Sequence, residues 1–179
     1  MVIDMKLFIS ASSQDSIKDI YKEKAKSLAE KLSKSHDLVF GSSNHGLMGA
    51  VYNEFLKNNK NITGICYTIY EDLLDELKLN KVIRVDTLAE STNALISEAD
   101  ALIFMPGAYG TLEELIESIE LKRTNKHDKK IIIYNINNYF DDLLKTFDKT
   151  YEEGCVKTKY TDLLFVSSNE EKIIDYLER

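Results

Sequence analysis

Cysteine, proline and long apolar runs are all scarce in this chain of 179 residues. Cys66 and Cys155 are too few for a disulfide framework and lack the spacing of metal ligands, so we expect two buried free thiols and no metal site. Nowhere do 18 apolar residues follow one another, and the first ten residues are too short and not basic enough for a secretory signal. We therefore expect a cytoplasmic protein that does not use a membrane.

Basic residues are also in deficit. The chain has 23 lysines and arginines against 30 aspartates and glutamates, which gives a formal net charge of −7. Nucleic-acid binding needs a concentrated basic face, so this balance argues against a nucleic-acid partner. The length suits one domain with a sizeable core, and no repeat, low-complexity tract or linker divides it. We expect one domain over residues 1–179.

Strand patterns alternate with helix patterns along the chain. The predicted strands are short apolar runs at Lys6–Ser10, Asp37–Phe40, Ile62–Tyr67 and Lys81–Val85, and at residues 101–105, 131–134 and 163–166. Apolar residues at helical spacing lie between them, although the form of residues 71–78 is not settled by their pattern. This alternation predicts an α/β fold: a Rossmann-like, doubly wound parallel sheet of six or seven strands with helices on both faces.

The stretch PGAYGTLEE, residues 106–114, follows the fifth predicted strand and contains the only proline. Apolar residues recur at helical spacing from Leu112 onward, which predicts a helix that begins near Thr111. The first turn of a helix carries unpaired N–H groups and the positive end of the helix dipole, which together favour an anion. Gly107 and Gly110 let the backbone approach a ligand closely, and the Thr111 hydroxyl adds a donor. The pattern therefore predicts a phosphate site.

Glu113 and Glu114 end this stretch and allow two interpretations, because bare carboxylates beside a phosphate would repel it. In the first, a carboxylate only interacts favourably with the helix dipole. In the second, a carboxylate lies one helical turn from the phosphate, at the reacting carbon of a phosphorylated sugar.

These residues resemble the LOG (LONELY GUY) family, formerly labelled lysine decarboxylases, whose motif is PGGxGTxxE and whose glutamate corresponds to Glu114. The resemblance extends to GLMGAV at residues 46–51, HDKK at 127–130, NNYFDDLL at 137–144 and EEGCV at 152–156. It covers nearly the whole chain in the family's order. It implies one nucleotide-binding Rossmann-like domain over residues 1–179.

The family resemblance also implies an activity. LOG proteins are phosphoribohydrolases, which cut the N-glycosidic bond of a nucleoside 5′-monophosphate and release the base and ribose 5-phosphate. Adenine nucleotides such as AMP are their usual substrates, no metal or organic cofactor is required, and the family forms homodimers with helices at the interface. Nothing in these residues identifies the base.

By the same resemblance Glu114 is the candidate catalytic residue, since a fixed carboxylate can stabilise positive charge on the sugar. The candidate phosphate and nucleotide contacts are Gly107, Ala108, Tyr109, Gly110, Thr111, Ser12, Gly41, Ser42, Gly46, Met48, Glu90 and Ser91. Ser10, Ser12 and Ser13 lie where the first strand ends, at the end of the sheet where such folds bind ligands, and could hold phosphate or ribose, although serine-rich loops are also common without a ligand. Gly46 is also explained by close packing of a helix on the sheet. His45 has no obvious partner in the sequence and is interpreted as a loop histidine.

Two segments depart from the family pattern. The family has Glu-Arg-Lys where this chain has Glu90, Ser91 and Thr92, and the missing arginine is one of its two accepted catalytic residues. A lost charge-assisted contact costs about 1.5–3 kcal/mol, or about one to two decades in rate or affinity. Arg84 on the preceding strand is one possible replacement. At residues 41–43 the family has three glycines, and the serines here leave less freedom for positive φ.

Two functions therefore stay open, a phosphoribohydrolase and a relative that binds a nucleotide or phosphosugar without turnover. We place hydrolysis first because the chain keeps more features of the family's phosphate-binding loop than it loses of the family's catalytic residues. The older decarboxylase label is less well supported, since no lysine lies in a recognisable cofactor context.

Overall fold

A seven-stranded sheet forms the centre of the protein, which is described over residues 4–179 by a computed structural model. The strands are β1 (Lys6–Ser10), β2 (Asp37–Phe40), β3 (Ile62–Tyr67), β4 (Lys81–Val85), β5 (Ala101–Phe104), β6 (Lys130–Tyr134) and β7 (Phe165–Ser167). All pairs are parallel, in the order β4-β3-β2-β1-β5-β6-β7. This confirms the predicted α/β fold with its parallel sheet, because every strand returns through a crossover.

Within residues 4–179, six helices cover the two faces of the sheet. They are α1 (Asp19–Leu32), α2 (Gly46–Lys57), α3 (Leu88–Glu98), α4 (Tyr109–Arg123), α5 (Asp141–Glu152) and α6 (Glu170–Glu178), with 3₁₀ segments at Thr68–Glu76, Ile136–Asn138 and Tyr160–Asp162. Leu7 and Ile9 of β1 lie in the core under α1, α2 and α6, whereas Phe8 lies in the opposite core under α3, α4 and α5. No helix within residues 4–179 has both the length and the apolar character to cross a membrane.

The strand order reverses at β1. Its neighbours are β2 on one side and β5 on the other, and Ser10 at its end is paired with Phe104. Successive crossovers on the two sides of such a point leave a crevice at the carboxyl ends of the strands, which is where open α/β sheets bind ligands. The crevice brings together the segments that follow β1, β2 and β5.

Side-chain caps are present at two helices and absent at α1. The α1 helix begins at Asp19 with no side-chain cap, and the nearby Asp15 bonds to His45 and to the Gly46 N–H. The side chain of Asn169 caps α6. Thr87 caps α3 in a capping box with Glu90.

The two cysteines lie in different environments. Cys66 is buried at the end of β3, as predicted, and burial raises the pKa of its thiol. The prediction was wrong for Cys155, which is exposed because the segment after α5 runs over the surface.

Candidate active site

A cavity of about 340 Å³ opens at the carboxyl ends of the central strands. Its volume is within the range of small-molecule sites. The predicted site residues that line it are Ser12, Gly41, Ser42, Met48, Ser91, Ala108, Gly110, Thr111 and Glu114. The fold therefore gathers one wall from each of the loops after β1, β2 and β5.

The loop from β5 to α4 forms the floor of this cavity. It is held against the end of β1, since Met105 N–H donates to the Ser10 carbonyl at 2.9 Å and Ser12 N–H donates to the Pro106 carbonyl at 3.0 Å. Within the described chain no side chain caps the first turn of α4, whose N-cap residue is Ala108. The amide groups of this turn are left for solvent or a ligand, and the helix dipole gives them a positive potential.

Glycine is present at positions 107 and 110 of this loop for different structural reasons. A Cβ atom at Gly107 would lie 2.1 Å from the Thr111 hydroxyl oxygen, so internal packing requires glycine there. A Cβ atom at Gly110 would meet nothing within 4 Å. Glycine in a helix costs about 1 kcal/mol relative to alanine, and packing does not explain it at position 110. Gly110 instead keeps space free at the cavity wall.

Glu114 lies one turn into α4 and is half-buried at the cavity. The hydroxyl of Ser10 donates a hydrogen bond to its Oε2 atom. Burial raises the pKa of Glu114 to about 7; the Ser10 hydrogen bond opposes that shift and the charge of Glu113 adds to it. The carboxyl group therefore exchanges its proton near neutral pH.

The start of α2 forms hydrogen bonds within the protein and leaves no free amides for a ligand in the cavity at Leu47 and Met48. Gly46 has a φ of +59°, and a Cβ atom there would lie 2.6 Å from the Ser12 carbonyl oxygen. That oxygen accepts the N–H groups of Leu47 at 2.8 Å and Met48 at 3.2 Å. The α2 amides thus hold the β1 loop in place, and Gly46 does not line the cavity although Met48 does.

Ser42 adopts a left-handed backbone conformation with a φ of +57°, although serine was expected to limit positive φ here. Such a conformation costs a residue with a side chain roughly 1–2 kcal/mol. The Ser42 hydroxyl donates to the Ile65 carbonyl on β3 at 3.0 Å. This bond ties the loop to the sheet, and its proton is not free for a ligand.

The segment that replaces the family's Glu-Arg-Lys lies on α3. Ser91 lines the cavity. Glu90 does not, because its Oε2 atom accepts the N–H groups of Asp86 at 3.0 Å and Thr87 at 3.1 Å. Glu90 therefore has a capping function in this structure.

Arg84 does not replace the missing arginine. Its side chain is exposed, and Nε donates to Glu71 Oε1 at 2.6 Å outside the cavity. Among the lining residues, all of them in the described part of the chain, none is lysine, arginine or histidine, and Glu114 is the only carboxylate. An anion in this cavity would therefore be bound by backbone amides and hydroxyl groups.

Two other predicted contact residues do not line the cavity. They are Tyr109, which is 90% exposed, and Gly107, which packs against Thr111. His45 is not unpaired, since its Nδ1 lies 2.9 Å from Asp15 Oδ2. The Gly46 N–H and His45 hydrogen bonds lower the pKa of Asp15. This pair closes the β1 loop onto the start of α2.

Ser10, Ser12 and Ser13 were predicted as possible phosphate or ribose contacts, and all three line the cavity. No local pattern, however, indicates that the Ser10 hydroxyl meets Glu114. The sequence did not predict the apolar part of the lining, which includes Tyr67 at the end of β3, Tyr70 and Leu73 after it, and Leu88 at the start of α3. Leu73 lies in the segment 71–78, whose form its pattern did not settle, so its side chain could not be placed. Within residues 4–179 no group of three or more His, Cys, Asp or Glu could hold a metal ion.

Known proteins resemble this chain in sequence. The family model described as "Possible lysine decarboxylase" matches residues 48–177. A probable cytokinin riboside 5′-monophosphate phosphoribohydrolase of Oryza sativa is 29% identical over 163 residues, which are 90% of this chain and 67% of the relative. A cytokinin riboside 5′-monophosphate phosphoribohydrolase of Arabidopsis thaliana is 29% identical over 175 residues, 97% of this chain and 81% of the relative.

Solved structures share the fold at lower identity. The molybdenum cofactor carrier protein of Chlamydomonas reinhardtii superposes with a TM-score of 0.70 at 12% identity and covers 98% of this chain and 96% of its own. The molybdenum cofactor binding protein of Rippkaea orientalis has a TM-score of 0.66 at 16% identity, with coverage of 98% and 96%. The family model covers more than half of the chain, and four residues of the predicted PGAYGTLEE stretch line the cavity, so the chain belongs to the LOG family, whose model is described as a possible lysine decarboxylase.

Proposed function

We propose that the protein is a nucleoside 5′-monophosphate phosphoribohydrolase, which breaks the N-glycosidic bond and releases the base and ribose 5-phosphate. The observation that supports this most directly is the shared cavity of Gly110 and Glu114, an open helix N-terminus with a carboxyl group one turn further on. The phosphoribohydrolase activity of the named relatives supports the same reaction. We propose AMP as substrate, no cofactor, and cytoplasmic localisation.

In this proposal the 5′-phosphate binds the first turn of α4. The amides of Gly110 and Thr111 donate to its oxygens, and the helix dipole favours its charge. The phosphate thereby fixes the sugar relative to Glu114, which converts binding energy into orientation. Departure of the base leaves positive charge on the anomeric carbon. The ionised Glu114 stabilises that charge and can orient the attacking water.

The apolar wall of the cavity suits the base. Tyr67 and Tyr70 lie edge to face with ring centroids 6.0 Å apart, and Leu73 and Leu88 line the cavity beside them. Flat aromatic and aliphatic side chains bind the faces of a base through stacking and apolar contact. These contacts do not distinguish one base from another, so the proposal includes the other common nucleotides as test substrates.

The test is direct. The pure protein is incubated with AMP, and separately with the other common nucleotides, and free base and ribose 5-phosphate are measured by chromatography. We expect both products in equal amounts from at least one nucleotide. Nucleotide binding without release of base would contradict the proposal and support the non-catalytic alternative.

The rate should depend on pH through Glu114. The pKa of this carboxyl group is about 7 in the protein without a ligand, and the negative charge of a bound phosphate raises it further. Since the ionised form is the active one, kcat should rise with pH through neutrality and level off on the alkaline side. We would measure kcat at saturating AMP from pH 5 to pH 9, because kcat reports groups in the complex and not binding of the free phosphate. A kcat that is constant between pH 5 and pH 7 would contradict this assignment.

We also propose a homodimer that uses the outer faces of α4 and α5. A groove of about 660 Å³ lies there, lined by Ile116, Ile119, Phe147, Val156 and Leu163 among others. Ile116 is 45% exposed in the single chain. Apolar area of this kind is typical of helix-mediated contacts between subunits.

Ile116→Glu should convert the proposed dimer to a monomer, because a charge would be buried at the contact. Light scattering coupled to size-exclusion chromatography measures the mass. Ile69→Glu is the matched control: Ile69 is 65% exposed on the 3₁₀ segment, away from the groove, and should leave the mass unchanged. A monomeric wild type, or a dimeric Ile116→Glu variant, would refute this interface.

A further inference from the structure

Ser10 occupies a rigid position at the cavity. It is the last residue of the central strand β1, is 4% exposed and lines the cavity. It pairs with Phe104 in the parallel register, and its carbonyl accepts the Met105 N–H. The sheet, not a loop, therefore sets where its hydroxyl points.

That hydroxyl meets the proposed catalytic group. Ser10 Oγ donates to Glu114 Oε2 across a sequence separation of 104 residues. Within residues 4–179 it is the one hydrogen-bond donor to this carboxyl group. The bond joins β1 to α4 at the cavity, and it restrains a side chain that otherwise has several rotamers.

The charges around Glu114 do not favour its ionisation. Glu113 is the nearest charged group and repels it, while Glu117 on the same helix interacts with Glu113. The other ionisable side chains at the cavity are the Cys66 thiol and the phenols of Tyr67 and Tyr70, on and after β3. No cation is present among the lining residues of β1, β2, β3, α2 and α3. A neutral hydroxyl donor is what remains to stabilise the carboxylate.

We propose that Ser10 is a positioning residue for the hydrolysis, which holds the Glu114 carboxyl group at the cavity and favours its ionised form. The reaction part of this inference rests on the proposed function. The effect on the Glu114 carboxyl group does not depend on it, because the hydrogen bond is present in the protein without a ligand. The Ser10 hydroxyl thus stabilises the negative charge of Glu114 with a fixed dipole, as a nearby cation would do more strongly.

Ser10→Ala tests the proposal. Loss of the donor raises the pKa of Glu114, so the rising limb of the kcat profile should move to higher pH by about one unit. At pH 6 this lowers kcat about tenfold, and at pH 9 kcat returns to near the wild-type value. Ser10→Thr keeps a hydroxyl and should restore the original limb.

Ser118→Ala is the matched control. The buried Ser118 hydroxyl also bonds to Glu114, but it donates to the backbone carbonyl, at 2.7 Å. Its loss should lower thermal stability without moving the limb. If the rising part of the kcat–pH profile shifts by the same amount in both variants, Ser10 acts only through general packing and the proposal is overturned.

A second readout is independent of activity. The pKa of Glu114 can be followed by carbon NMR on protein labelled at the glutamate carboxyl groups, with Glu114→Gln identifying the signal. The signal should titrate at higher pH in Ser10→Ala. An unchanged pKa would overturn the role of Ser10. A shifted pKa in a protein that releases no base would support Ser10 and reject the proposed function, so the two failures are distinguishable.

Discussion

Glu114→Gln should lower the rate of base release from AMP by about 10²- to 10⁴-fold while nucleotide affinity stays within a few fold. Glutamine has nearly the same shape, and its carbonyl oxygen can still accept the hydrogen bond from Ser10. It lacks the negative charge that stabilises the positive charge on the sugar as the base departs. The loss therefore appears in kcat, which single-turnover kinetics and calorimetric titration with AMP would separate from binding.

Two controls make this result specific. Glu113→Gln removes the neighbouring, exposed carboxylate and should keep the wild-type kcat at pH 8, because Glu113 does not line the cavity. Stability is the other control. The pKa of Glu114 is raised from 4.5 to about 7 by folding, so the free energy of unfolding falls as pH rises from about 4.5 to about 7, and the full cost is present above pH 7.

Glutamine removes that cost. The Glu114→Gln variant should therefore melt at or above the wild-type temperature at pH 8, and loss of activity cannot then be assigned to unfolding. A Glu114→Gln enzyme with wild-type kcat would exclude a chemical role for the carboxylate. It would leave only the interpretation in which Glu114 interacts with the helix dipole.

Ser91→Arg should raise kcat/KM for AMP by about one to two decades, since a charge-assisted bond contributes about 1.5–3 kcal/mol. Ser91 lines the cavity, and no lining residue within the described chain carries a positive charge. A guanidinium group at position 91 would supply donors to phosphate or sugar oxygens. Steady-state kinetics with AMP and with adenosine would measure the gain, which should be larger for the phosphorylated substrate.

Asn93→Arg is the matched control for this variant. Asn93 lies on the same helix and is exposed, and its amide donates to the Ala89 carbonyl outside the cavity. The variant adds the same charge to the protein without placing it at the ligand. It should change kcat/KM less than twofold. An equal gain in both variants would indicate long-range attraction of the substrate, and no gain in either would mean that position 91 does not face the ligand.

Local patterns predicted the sheet and the loop at its centre. The strands β1 to β4 have the predicted bounds, since a short apolar run between turn residues is a local property. The phosphate loop was also predictable, because a glycine-containing turn between a buried strand and a helix exposes the same amides wherever it occurs. Even there, α4 begins at Tyr109 rather than near Thr111.

Contacts between distant segments were not predictable in this way. Gly46 and Gly110 both lie at the start of a helix in the predicted site. The structure requires glycine at position 46, because a Cβ atom would meet the Ser12 carbonyl oxygen, whereas Gly110 faces open space. Ser42 adopts the conformation that favours glycine because its hydroxyl bonds to β3. Arg84 was a plausible substitute for the missing arginine until the fold placed Glu71 beside it.

The amino-acid sequence by itself determined the fold class, the family and the loop at which a phosphate would bind, because each is encoded by residues close together along the chain. Only the tertiary structure decided that Ser10 meets Glu114, that the cavity has no lining cation, and that the carboxyl group titrates near pH 7. These properties depend on burial and on contacts between strands and helices far apart in sequence, and no local pattern contains them.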